Sequence, residues 1–127
     1  MLAKVGIVAF SGAIGTTARF CLMLLMGRVL GDTFPWGTMA VNLIGCFLAG
    51  MSWVYFENRL DLSPEIRLLV LVGFMGAFTT FSSLILESGT YLSTSKWWVG
   101  VLNLLAHNAI GLTALFGGIS VGRCFSL

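Results

Sequence analysis

The chain has 127 residues, 57% of them hydrophobic and only 9% charged, with a formal net charge of +2 and a mean hydropathy of +0.97. Soluble domains carry roughly 25% charged residues, and a fold this small leaves too much surface uncovered to hide so much apolar area from water. A soluble enzyme is thereby excluded, the small and scattered charge excludes a nucleic-acid interface, and lipid is the solvent for most of the surface. The three cysteines, Cys21, Cys46 and Cys124, are odd in number. Two of them fall inside apolar runs, so they read as small apolar residues and not as a disulfide framework or metal site.

A membrane-spanning helix needs about 20 mostly apolar residues, and four stretches qualify. The first is residues 2–26, with Lys4 near its start and Arg19 inside it. It lacks a small-residue cleavage pattern and is rich in glycine, so it is expected to be a retained span and not a removable signal. Arg28, Gly31, Asp32 and Pro35 mark a turn before the second span, residues 36–56. The most charged segment, residues 57–65, follows, and Pro64 suits the first turn of the next helix. The third span is residues 66–91 and the fourth is residues 97–121, separated by the turn Ser93–Thr94–Ser95–Lys96. Trp36, Trp53, Trp97 and Trp98 lie near segment ends, where amphipathic rings favour the membrane interface. The expected fold is an all-α membrane protein, a single four-helix transmembrane domain over residues 1–127.

Lys4, Arg59, Arg67 and Arg123 would share one side of the membrane, and Arg28 and Lys96 the other. That favours both termini inside, but acids share the same loop and the bias is small. A weak bias fits insertion in both orientations, and hence an antiparallel dimer, as well as it fits one fixed orientation.

Polar groups at membrane depth are costly and usually face protein or a watery path. Arg19 reads either as a side chain snorkelling to an interface or as a buried cation that draws anions inward. Asn42 offers an amide with two donor hydrogens, either for a path or for an interhelical hydrogen bond. Gly45 and Ala49, four residues apart, give a small face for close packing. The third span is the most unusual, because Gly73 and Gly76 are followed by the four hydroxyls of Thr79, Thr80, Ser82 and Ser83. Glycine and threonine weaken a helix, and a helix broken there would leave backbone groups that are natural ion ligands; the other reading is hydroxyls bonded back to their own helix, bending it. Helical spacing puts Thr79, Ser83 and Glu87 on one face, with Phe81 and Leu84 on a neighbouring one. In the fourth span Asn103, His107 and Gly111 repeat every four residues and line one face, His107 being either a satisfied packing residue or a proton relay. Gly118 and Gly122 form a small-residue pair.

The motifs Gly12–x–x–Gly15–x–x–x–Arg19, Pro35–x–Gly37–Thr38–x–x–x–Asn42–x–x–Gly45 and Gly73–Phe74–x–Gly76–x–x–Thr79–Thr80–Phe81–Ser82–x–x–x–x–Glu87 resemble the CrcB/Fluc fluoride channels of bacteria, in order and over essentially the whole length. The resemblance implies a multi-pass protein of the bacterial inner membrane that exports fluoride passively. It implies a dual-topology, antiparallel homodimer with two separate fluoride paths, a third helix broken mid-membrane, and a structural sodium ion held by backbone carbonyls of Gly76 and Thr79 from both copies. It places Asn42, Phe81, Ser83, Glu87, Asn103 and His107 along the path. The second family Phe falls on Leu84, and Gly111 and Leu115 stand where hydroxyls are common.

That assignment is chemically coherent. Fluoride is strongly hydrated, and Asn42, Thr80, Ser82, Ser83 and His107 could replace its water with donors. The rim of the Phe81 ring is the positive part of its quadrupole and could meet an anion edge-on. Two other classes compete. A small multidrug-type proton antiporter needs an acid in the first helix, which holds no Asp or Glu. A non-transporting membrane scaffold explains the helices but not the polar centre of the third one.

Overall fold

The computed structural model describes residues 1–59 and 62–125. Leu60 and Asp61, part of the charged segment singled out above, lie outside the described residues. The described chain is all helical. Helix α1 is Leu2–Leu30, α2 is Trp36–Glu57, and α6, the last, is Trp97–Phe125. Between α2 and α6 lies a composite span. It starts with α3 (Pro64–Arg67), continues as a π-helical stretch π1 (Leu68–Met75) and a short α4 (Gly76–Phe78), and resumes as α5 (Phe81–Leu92). Among the described residues four stretches are long and apolar enough to cross a membrane: Leu2–Leu30, Trp36–Glu57, Pro64–Leu92 and Trp97–Phe125. At 1.5 Å per residue, a 29-residue helix such as α1 or α6 is about 44 Å long and overshoots a hydrocarbon core of about 30 Å. The spans therefore run several residues further than apolarity alone marked.

Turn chemistry sets the joints. Gly31 closes α1 with φ 73°, a left-handed conformation that a Cβ would strain, and its N–H bonds the Gly27 carbonyl at 3.0 Å. Pro64 opens α3 in the first turn, where its missing N–H costs nothing. Arg67 reaches back from α3 and donates to the Phe56 carbonyl at 2.6 Å, tying the end of α2 to the start of the third span.

Helices α2 and α6 form the tightest seam. Cys46 lies against Gly111, Gly50 against Leu115, and Val54 against Gly122, so the two helices run parallel. Side-chain-free positions let the backbones meet. A Cβ on Gly50 would strike the Leu115 carbonyl, and one on Gly118 would strike that of Phe47. In lipid, where apolar surface gains little from pairing with apolar surface, such close packing is what holds helices together. Helix α1 packs on π1 and α4 by the same device, with Gly15 against the Phe74 carbonyl. It buries only Ser11 and Gly15, leaving Phe10, Phe20 and Leu25 among its exposed side chains.

Candidate functional site

The site grows from the two residues between α4 and α5. Thr79 (φ −84°, ψ 160°) and Thr80 (φ −149°, ψ 110°) are both extended. Helix α4 ends on the bond from the Thr79 N–H to the Met75 carbonyl, 3.1 Å. The next donor does not follow. The Thr80 N–H turns instead to Asn42 Oδ1 at 2.8 Å, and Asn42 Nδ2 donates to the Thr80 carbonyl at 3.0 Å. The Asn42 carboxamide thus pairs with a stretch of extended backbone as a neighbouring strand would, satisfying a donor and an acceptor that the end of the helix leaves unpaired. Thr79 fits beside it because Gly45, one turn short of Ala49 on α2, has no Cβ to meet its methyl group.

Thr80 also starts the next helix. Its hydroxyl oxygen accepts from the Ser83 N–H at 3.2 Å, the N-cap role that Thr serves well. The same hydroxyl donates to Ser83 Oγ at 3.0 Å and lies 3.3 Å from Ser82 Oγ. Thr79 behaves differently, bonding its own helix at the Met75 carbonyl, 3.1 Å away. Both readings of the hydroxyl cluster are thus present: one Thr bonds backward, and three hydroxyls gather at the head of α5.

Along α5, Glu87 lies one turn beyond Ser83 and accepts the Thr38 hydroxyl at Oε1. Ser88 is buried and accepts from Asn103 Nδ2 at 3.0 Å. On α6, His107 Nδ1 lies 3.0 Å from the Asn103 carbonyl oxygen. Asn103, His107 and Gly111, which their spacing puts on one face, are all buried. An open groove of about 460 Å³ runs past these elements, lined by Asn42, Gly45, Cys46, Thr79, Phe81 and His107 among others.

The structure thus brings Asn42, Thr80, Ser82 and Ser83 together, and sets Glu87, Asn103 and His107 along the same α2–α5–α6 junction. It corrects one spacing expectation. Thr79 does not share a helical face with Ser83 and Glu87, because the extended pair ends one helix before the next begins at Phe81. Phe81 and Leu84, one turn apart on α5, both line the groove, Phe81 being 74% exposed and Leu84 buried at 5%. Gly76 lines the groove with Thr79, but Arg19 stands half-buried on α1 and is not among the groove residues. Sequence reasoning quoted Thr38 within a motif without giving it a role and passed over Ser88; they are the partners of Glu87 and Asn103. Thr38 carried a legible signal, standing one turn before Asn42 on the same face.

Comparison with known proteins adds a separate finding. The model of the family described as CrcB-like protein, Camphor Resistance (CrcB), matches residues 6–119. A protein of Desulforapulum autotrophicum named fluoride-specific ion channel FluC is 48% identical over 116 residues, covering 91% of this chain and 93% of the relative. Relatives of the same name from Solidesulfovibrio magneticus and Nitrosococcus oceani are 47% and 43% identical over 123 residues, each alignment covering 97% of this chain and 98% of the relative.

Proposed function

Since the chain belongs to the CrcB family, we propose that it is a fluoride-selective channel of the bacterial inner membrane, letting fluoride leave the cell passively. It catalyses no reaction. The observation that carries this reading is the interruption at Thr79–Thr80. There Asn42 holds an extended backbone in place, and three hydroxyls and an exposed phenyl ring stand beside it.

A dehydrated fluoride needs donors. Asn42 Nδ2 carries two hydrogens and uses one on the Thr80 carbonyl, leaving one for an anion. The Ser82 and Ser83 hydroxyls rotate freely enough to turn hydrogens toward it. The edge of Phe81 is electropositive, and its exposure leaves that edge open to the path or to a second copy. Leu84 supplies no such edge and packs the wall instead. The path continues along Glu87, Asn103 and His107. Arg19 takes no direct part in it and biases the approach of anions through its charge.

One chain leaves the groove open and most of α1 uncovered. A second copy, inserted with opposite topology as the weak charge bias allows, would close both, giving an antiparallel homodimer with two paths and a third span broken near mid-membrane. The Gly76 carbonyl fits a cation ligand, because the N–H four residues on, that of Thr80, is committed to Asn42. The Thr79 carbonyl lies on extended backbone outside either helix. Where two such interruptions face each other, converging carbonyls without donors are costly. A hard monovalent cation, sodium, would neutralise them as a structural ion that is not transported.

The test is anion efflux from liposomes holding the purified protein. Fluoride should leave and chloride should not. Equal loss of both would remove the selectivity, and no loss would return the chain to the scaffold class. Proton-coupled cation flux would favour the antiporter instead.

A further inference from the structure

Among the described residues three buried side-chain atoms have no hydrogen-bond partner: Glu87 Oε2, Asn103 Oδ1 and His107 Nε2. Their chemistry is alike. An ionised carboxylate oxygen accepts and does not donate, and so does an amide oxygen. The histidine is settled by its other nitrogen. Nδ1 lies 3.0 Å from the Asn103 backbone carbonyl, and a carbonyl can only accept, so Nδ1 carries the hydrogen. In the neutral ring Nε2 therefore presents a lone pair. All three orphan atoms are acceptors, at a junction that the proposed path must pass.

This is the wrong lining for an anion. A buried acceptor without a donor is costly, and each of these repels fluoride. One added proton reverses the sign of the junction most economically at Nε2, where it creates a donor and a positive charge together. The titratable groups around His107 are few. They are Glu87 on α5, whose Oε2 is another of the orphan atoms, and Cys46 on α2, which lines the same groove. Asn42, the other polar α2 residue on that groove, does not titrate.

We propose that His107 is the specificity-determining donor where the path passes α6, serving fluoride only when Nε2 is protonated, so that flux rises as the pH falls. The proton is taken from the aqueous side and returned to it, and the N–H bond at Nε2 is the only one made or broken. The inference rests on the fluoride reading above and adds to it a residue and a proton.

The chain has a single histidine, which makes the test direct. With ¹⁵N-histidine protein in liposomes, NMR at alkaline pH should find the Nδ1–H tautomer. At fixed near-neutral pH, adding fluoride should increase the imidazolium signal, since a ligand that binds one protonation state raises its population. Chloride should not. In parallel, fluoride efflux from pH 8 to pH 6 is measured above the leak of protein-free vesicles, which accounts for neutral HF. Native flux should rise several-fold, by no more than about tenfold per pH unit, the limit for one proton. His107→Gln, whose amide donates at every pH, should conduct without that slope. A flat native profile, or the same slope in His107→Gln, would overturn the proposal. If neither protein moves fluoride, the channel reading falls and the NMR titration decides alone. A fluoride-dependent imidazolium signal then keeps the donor site, and an unchanged one removes it. The native titration also stands if the Gln variant does not fold.

Discussion

Two seams in this molecule bring backbone close to backbone by opposite means. Between α2 and α6 the approach is made by leaving side chains out, with Gly50 against Leu115 and Gly118 against Phe47. Between α2 and the third span it is made by putting a side chain in, the Asn42 carboxamide standing between α2 and the extended backbone of Thr80. The first seam is apolar and has no groups to spare for an ion. The second holds hydroxyls and a carboxylate, and opens on a groove that His107 of α6 also lines. The difference separates the residues that hold the fold from those that face the ion, and mutations should divide accordingly.

The largest effect is expected at the glycine seam. Gly118→Leu puts a branched side chain where even a Cβ would strike the Phe47 carbonyl, and backbone cannot step aside as a flexible side chain can. Overpacking of this kind costs about 1–3 kcal/mol or more. The variant should lose most of its monodisperse protein in gel filtration. Full recovery of folded protein would mean that the α2–α6 seam is not what holds the bundle.

Asn42→Asp probes the polar seam. An ionised Asp still accepts from the Thr80 N–H but cannot donate to its carbonyl, and it turns a negative charge toward the groove. Fluoride efflux should fall at least tenfold while gel filtration still finds folded protein. Native-rate efflux would sink the assignment of Asn42 to the path, leaving it the interhelical clamp alone.

Phe81→Ile should fold as well as the native chain, because a ring 74% exposed contributes little packing within one copy. Most fluoride flux should nevertheless go with the ring edge. A folded variant with unchanged flux would return Phe81 to a lipid or subunit contact. The smallest effect is expected at Ser88→Ala, which removes the acceptor of the Asn103 amide. A lost buried hydrogen bond costs about 1 kcal/mol net, rising toward 3 if the partner stays unsatisfied. Thermal unfolding should move down by a few degrees with flux largely kept. A drop in flux larger than the drop in stability would place Ser88 on the path side of the comparison.

Much of the fold was legible in the residues. Hydropathy alone located the spans, because a bilayer of fixed thickness demands apolar runs of fixed length. The buried face of α6 followed from the four-residue repeat of Asn103, His107 and Gly111, and the small-residue seam from Gly118 and Gly122. The π-helical stretch Leu68–Met75 was not legible. Its composition is ordinary for an apolar helix, and widening a turn leaves no compositional trace. The Thr79–Ser83–Glu87 stripe misled because helical spacing holds only while the helix continues.

What the sequence determined by itself was the solvent, the number of spans, the positions of polar groups within them and, through its motifs, the family. These are one-dimensional properties, set by composition and by local periodicity. Only the tertiary structure decided what those polar groups do to one another. That Asn42 reaches Thr80, that Thr38 meets Glu87, and that Asn103 reaches Ser88 depend on how the helices pack and on where the third span leaves its helix. Residues 15 to 49 positions apart meet in these pairs across helices, and no local rule constrains such distances, since they are set by how closely glycine lets two backbones approach.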